Sequence, residues 1–124
     1  MFGPKIGKAL EEQGFICYLP YRDTNQKGNN QEIFNQDMNG IKTSKIILAI
    51  ALNETPNWGA EIAFAFSIQK PVIALTDKSH SIPLICEQMI SKTIRVDDLE
   101  KTENYMDSLS GKIKDLLVIG KASR

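Results

Sequence analysis

The chain has 124 residues, 42% of them apolar and 24% charged, with five prolines and eight glycines, which is the composition of a single globular domain over residues 1–124 and excludes a second independent core. Fifteen basic residues balance fifteen acidic ones, so no summed field draws the molecule onto nucleic acid or an anionic membrane. The longest apolar runs, Ile46–Leu52 and Pro71–Leu75, fall far short of the roughly 20 residues that span a bilayer, and Met1–Lys8 lacks the apolar core of a secretory signal. The expectation is a soluble cytoplasmic protein.

Residues 4–13 are predicted to be helical, with Ile6, Ala9 and Leu10 on one face and Gly14 as the stop. Phe15–Leu19 is an unbroken apolar run closed by Pro20, the pattern of a strand buried on both faces. Tyr21–Asn30 is polar and turn-rich, hence a loop. Helix returns over Gln31–Lys42, where Ile33, Phe34, Met38 and Ile41 share a side, and Ile46–Leu52 is a second buried strand. Trp58–Gln69 is alanine-rich and apolar almost all round, which predicts a buried helix. A third strand over Pro71–Leu75, a short helix over Ile82–Ile90 and a short strand over Thr93–Val96 follow. The chain then closes with an amphipathic helix carrying Tyr105, Leu109, Ile113 and Leu116, and a frayed basic tail from Gly120. Continuous apolar strands alternating with helices imply an α/β fold: a parallel sheet with helices on both faces. Such sheets bind ligands at the carboxyl ends of their strands.

Between Glu54 and Lys70 the one ionisable side chain is Glu61. It is expected in the first turn of an apolar helix, just after a buried strand. There the free N–H groups and the helix dipole would stabilise a carboxylate by about 0.3–1 kcal/mol. A charged carboxylate shielded from water suits a nucleophile, and a carboxylate that only complements a helix terminus fits the same pattern. Asp37 reads as a solvated acid on the polar face of its helix, beside Asn35 and Asn39, whose amides could read a base edge or merely fray the helix end. Trp58 is core, lid or stacking platform. Cys17 and Cys86 lie far apart, and His80 is the only histidine. Buried free thiols are therefore expected, with neither a zinc site nor a Cys–His nucleophile, and no metal or cofactor. Phosphate-cradling glycine loops and a Gly-x-Ser-x-Gly elbow are absent, and basic residues are scattered rather than striped, which disfavours nucleic-acid binding.

The run Asp37-Met38-Asn39-Gly40-Ile41-Lys42-Thr43-Ser44, an apolar strand, then Gly59-Ala60-Glu61-Ile62-Ala63-Phe64-Ala65 and Lys70-Pro71-Val72-Ile73 resembles the nucleoside 2-deoxyribosyltransferase family and the related 2′-deoxynucleoside 5′-monophosphate N-glycosidases. The resemblance extends over nearly the whole chain and implies a flavodoxin-like parallel sheet. It also implies a covalent deoxyribosyl-enzyme formed on Glu61, with Asp37 contacting the nucleobase and with Asn57, Trp58 and Gly59 in the substrate pocket. The partner would be a small deoxynucleoside or deoxynucleotide, and the assembly a homodimer or larger. Two departures stand out. The transferases carry an acidic residue before the nucleophile that holds the sugar hydroxyls, a role only Asn57 or Glu54 could take in the shorter loop here. Family members also begin with a central strand, whereas this chain starts at Met1-Phe2-Gly3-Pro4, where that strand would already have ended. The expectation is thus a sheet without the family's first strand. Two further readings stay open: a non-catalytic nucleoside- or nucleotide-binding module, and an oligomerisation domain of the same fold.

Overall fold

The computed structural model describes residues 2–122, and side chains from Gly3 to Val118. Helices α1 (Phe2–Glu12), α2 (Pro20–Asp23) and α3 (Asn30–Thr43) precede strand β1 (Ile47–Ile50). Then come α4 (Pro56–Ser67), β2 (Val72–Asp77), α5 (Leu84–Met89), β3 (Lys92–Val96), a 3₁₀ turn at Thr102–Asn104 and α6 (Met106–Ala122). The three strands form one parallel sheet in the order β1-β2-β3, with Ile47 opposite Val72 and Ile73 opposite Lys92. No helix is long and apolar enough to cross a membrane.

Strand β2 explains why the unbroken apolar pattern works as a strand signal. Val72 through Thr76 are all buried, because both faces of the sheet are covered. Ile73 and Leu75 point to one face, where Ile6 and Leu10 of α1 and Leu109 and Ile113 of α6 complete a core cluster. Val72 and Ala74 point to the other, against Ile41 of α3, Ile62 and Ala65 of α4, and Ile82. Full burial of each large side chain in these layers contributes about 1.5–3 kcal/mol.

The expected strand over Phe15–Leu19 does not form. Phe15 and Cys17 pack against the α1/α6 cluster, but Ile16 is fully exposed and no ladder pairs the segment. An apolar run supplies faces, while a strand also needs a neighbour for its backbone. Side chains of α2 take that part instead: Asp23 Oδ2 accepts from the Leu19 N–H at 2.7 Å, and Arg22 donates to the Cys17 carbonyl at 3.1 Å. Apart from Pro20, α2 lies in the segment expected to be loop. On β1, the Ile47 and Ala51 amides donate to Pro71 and Leu75, which turns the Leu48 and Ile50 amides to an edge that no strand covers among the described residues.

Other expectations also need correction. α4 is not buried all round: Ile62 and Ala65 are buried, but Phe66 is 54% exposed. Both cysteines are free but only half-buried. α6 continues through Gly120 to Ala122 where fraying is expected, and residues 123–124 of the tail lie outside the described ones.

Candidate active site

Helix α4 begins earlier than its apolar periodicity suggests. Thr55 is its N-cap, its hydroxyl oxygen accepting from the Trp58 N–H at 3.2 Å, and Pro56 fills the first helical position. Glu61 is therefore in the second turn, beyond the free N–H groups of the helix end. The expected stabilisation by the helix terminus is absent, and the shift runs the other way. Burial raises the pKa of Glu61 above the ordinary glutamate value, and the charge of Asp37 raises it further. No basic side chain pairs with Glu61 among the described residues.

Asp37 comes from α3, which Asn29 caps by accepting from the Glu32 N–H at 2.9 Å and which packs on α4 through Met38 and Ile41 against Ile62 and Ala65. It is not the freely solvated acid its helical pattern suggests. It is half-buried, and its Oδ1 accepts from the Thr24 hydroxyl at 2.7 Å. Thr24 is only 4% exposed, and its oxygen also meets the Tyr18 hydroxyl, which in turn reaches the Gln36 carbonyl at 3.3 Å. The Tyr18 ring lies over Gly40, where a Cβ would come within 2.6 Å of Cε1 and 2.7 Å of Cδ1. Asn35 and Asn39 are exposed. Asn35 accepts from Gln31 at 2.9 Å.

Asn57 is exposed in the first turn of α4, and Gly59 is half-buried. Trp58 packs into both core clusters on the α4 side of the sheet, and its indole N–H is buried without an acceptor among the described residues. Glu54 is occupied: its carboxylate meets His80 Nε2 at 2.5 Å, the two side chains being 13% and 21% exposed. The Asp77 carboxylate accepts from the Ser79 and His80 amides at 3.0 and 2.8 Å, and Arg95 donates to the His80 carbonyl at 2.6 Å. The loops after β1 and β2 are thus tied together beside the carboxyl ends of the strands. Two surface depressions, of about 270 and 620 Å³, lie near the carboxyl end of β3 and the amino end of β2, and neither is lined by Asp37 or Glu61. Among the described residues no cluster of His, Cys, Asp and Glu could hold a metal ion.

The sequence thus singles out both carboxylates without revealing that they are neighbours, and it misses Tyr18, Thr24 and His80. Tyr18 is hidden inside an expected strand and Thr24 in an expected loop. Gly40 inside a helix is the one signal that something presses on α3.

The nucleoside 2-deoxyribosyltransferase family model matches residues 2–106. Among solved structures, the 2-deoxyribosyltransferase from the psychrotolerant bacterium Bacillus psychrosaccharolyticus is similar in fold, with a TM-score of 0.63 at 17% identity, over 82% of this chain and 79% of that one. No curated protein matches. The family match spans most of the chain, includes both α3 and α4, and agrees with a parallel sheet flanked by helices: the chain belongs to the nucleoside 2-deoxyribosyltransferase family.

Proposed function

We propose that this chain cleaves or exchanges the N-glycosidic bond of 2′-deoxynucleosides or their 5′-monophosphates. The observation that carries the proposal is the pair of half-buried carboxylates presented by adjacent helices, with Glu61 free of any basic partner among the described residues. An unpaired, partly desolvated carboxylate is a competent nucleophile once ionised. In the state with Glu61 ionised and one proton on Asp37, Glu61 would attack the anomeric carbon, the C–N bond electrons would leave with the base, and Asp37 would give the departing base that proton. General acid help of this kind is worth about 10²–10⁴ in rate. A second base or a water molecule then attacks the same carbon, loses its proton to Asp37 and releases Glu61, as in retaining glycosidases.

Asn57, exposed at the start of α4, is the better candidate to hold the sugar, because Glu54 is bound to His80. Gly59 faces Cys86, whose Sγ would stand 3.8 Å from a Cβ at that position. Trp58 supports that helix from the core side. Leu84, Ile85 and Phe66, at 76%, 75% and 54% exposure, favour the homo-oligomeric assembly that the family resemblance implies, which light scattering would check.

The test is base release, followed by chromatography, from deoxyinosine, deoxyadenosine and dGMP. Glu61→Gln should abolish it. Activity that survives this change removes Glu61 as nucleophile, and ligand binding by the parent chain with no turnover would leave a nucleoside-binding module.

A further inference from the structure

We infer that Tyr18 and Thr24 form a positioning device that fixes the Asp37 carboxyl group and divides the work between its two oxygens. The inference rests on the proposed role of Asp37 at the leaving base. Each hydroxyl carries one proton and can accept through its lone pairs. Thr24 spends its proton on Asp37 Oδ1 at 2.7 Å. In the contact between the two hydroxyls, Tyr18 must therefore be the donor, sharing its proton with the Gln36 carbonyl at 3.3 Å. Protons run one way, from Tyr18 to Thr24 to Asp37.

The consequence is an asymmetric carboxyl group. Oδ1 is held, and Oδ2 has no hydrogen-bond partner among the described residues. Oδ2 is thus the oxygen able to carry the proton given to a leaving base and regained from an incoming one, while the bond at Oδ1 persists through both protonation states. The device is itself anchored. Thr24 is 4% exposed, so water does not replace it, and the Tyr18 ring sits on the bare Cα of Gly40, one turn along α3 from Asp37. Tyr18, Thr24, Gly40 and Asp37 come from three different stretches of chain, yet the tyrosine spans them all. Tyr18 and Thr24 are positioning residues, acting on the substrate only through Asp37.

The experiment uses the full chain with Thr24→Val, Thr24→Ser and Tyr18→Phe. Valine keeps the volume of threonine and removes the hydroxyl, while serine keeps the hydroxyl. The first readout is the χ1 rotamer of Asp37, from NMR three-bond couplings. A single staggered rotamer is expected in the parent and Thr24→Ser, and rotamer averaging in Thr24→Val. The second is kcat for base release, expected to fall about 10–100-fold in Thr24→Val with little change in KM, to recover in Thr24→Ser, and to fall less in Tyr18→Phe. An Asp37 rotamer that stays single in Thr24→Val overturns the inference whether or not the chain is active. An inactive parent chain sinks the proposed reaction, and the couplings still decide the positioning device. A Thr24→Val kcat equal to the parent's overturns the inference and leaves the proposed reaction standing.

Discussion

Replacing Gly40 with alanine should destabilise this protein, although the same change in an ordinary helix stabilises. Gly40 lies within α3, where alanine is favoured over glycine by about 0.5–1 kcal/mol through lower backbone entropy. Here the new methyl would stand 2.6 and 2.7 Å from two carbons of the Tyr18 ring. The ring cannot slide away cheaply, because its hydroxyl is engaged by Thr24 and the Gln36 carbonyl. Overpacking costs about 1–3 kcal/mol, and a lost hydrogen bond adds about 1 kcal/mol. The net loss expected for Gly40→Ala is about 1–3.5 kcal/mol. In a Tyr18→Ala background the clash is gone, and the same alanine should stabilise by about 0.5–1 kcal/mol. The two backgrounds thus differ by about 2–4 kcal/mol and in sign, a coupling well above the scatter of independent sites. Urea unfolding of the parent, both single variants and the double variant measures it. A stabilising Gly40→Ala in the parent background would refute the packing account of Tyr18 and weaken the assignment of Asp37's orientation to it.

Three further outcomes follow from the geometry. Burial and Asp37 raise the pKa of Glu61, so above the ordinary value the folded chain holds more protons than the unfolded one, and stability falls as pH rises through that window. Glu61→Gln should therefore be more stable than the parent in urea at pH 7, with the gap closing below the ordinary glutamate value of 4.5. Gln69 adopts φ 62° at the end of α4, where its N–H and that of Lys70 bond back to Phe66 and Ala65. This is the position glycine usually holds, so Gln69→Gly should raise stability by about 0.5–1 kcal/mol, and thermal or urea unfolding checks it. Glu54→Gln should leave KM for a deoxynucleoside unchanged, because the carboxylate is committed to His80. A rise in KM would return Glu54 to the sugar.

Legibility in the sequence follows how local each cause is. Strands β1 and β2 are visible because burial forces continuous apolar runs, and β2 shows it most plainly, with Val72 through Thr76 all buried; β3 differs, with Ile94 and Val96 buried and Lys92 and Arg95 exposed. Phe15–Leu19 has the same composition and no strand, since pairing depends on a neighbour that side-chain pattern does not encode. The start of α4 is encoded in Thr55 and Pro56, but apolar periodicity points to Trp58, and that shift of about half a turn takes Glu61 out of the first turn and reverses the expected effect on it. The nearness of Asp37 and Glu61 is tertiary: it comes from Ile41 and Met38 of α3 packing on Ile62 and Ala65 of α4. No spacing along the chain announces it. The link from Tyr18 through Thr24 to Asp37 joins an apolar run to a polar loop and a helix, three segments whose patterns are read separately.

The sheet also works as a partition. Asp37 and Glu61 belong to helices on one side of β2, while α1 and α6 close the other with Ile6, Leu10, Leu109 and Ile113. That second layer supplies cohesion without touching either acid. It is where a protein engineer could exchange side chains for thermal robustness and leave reactivity alone, so long as the strand between the layers keeps its shape.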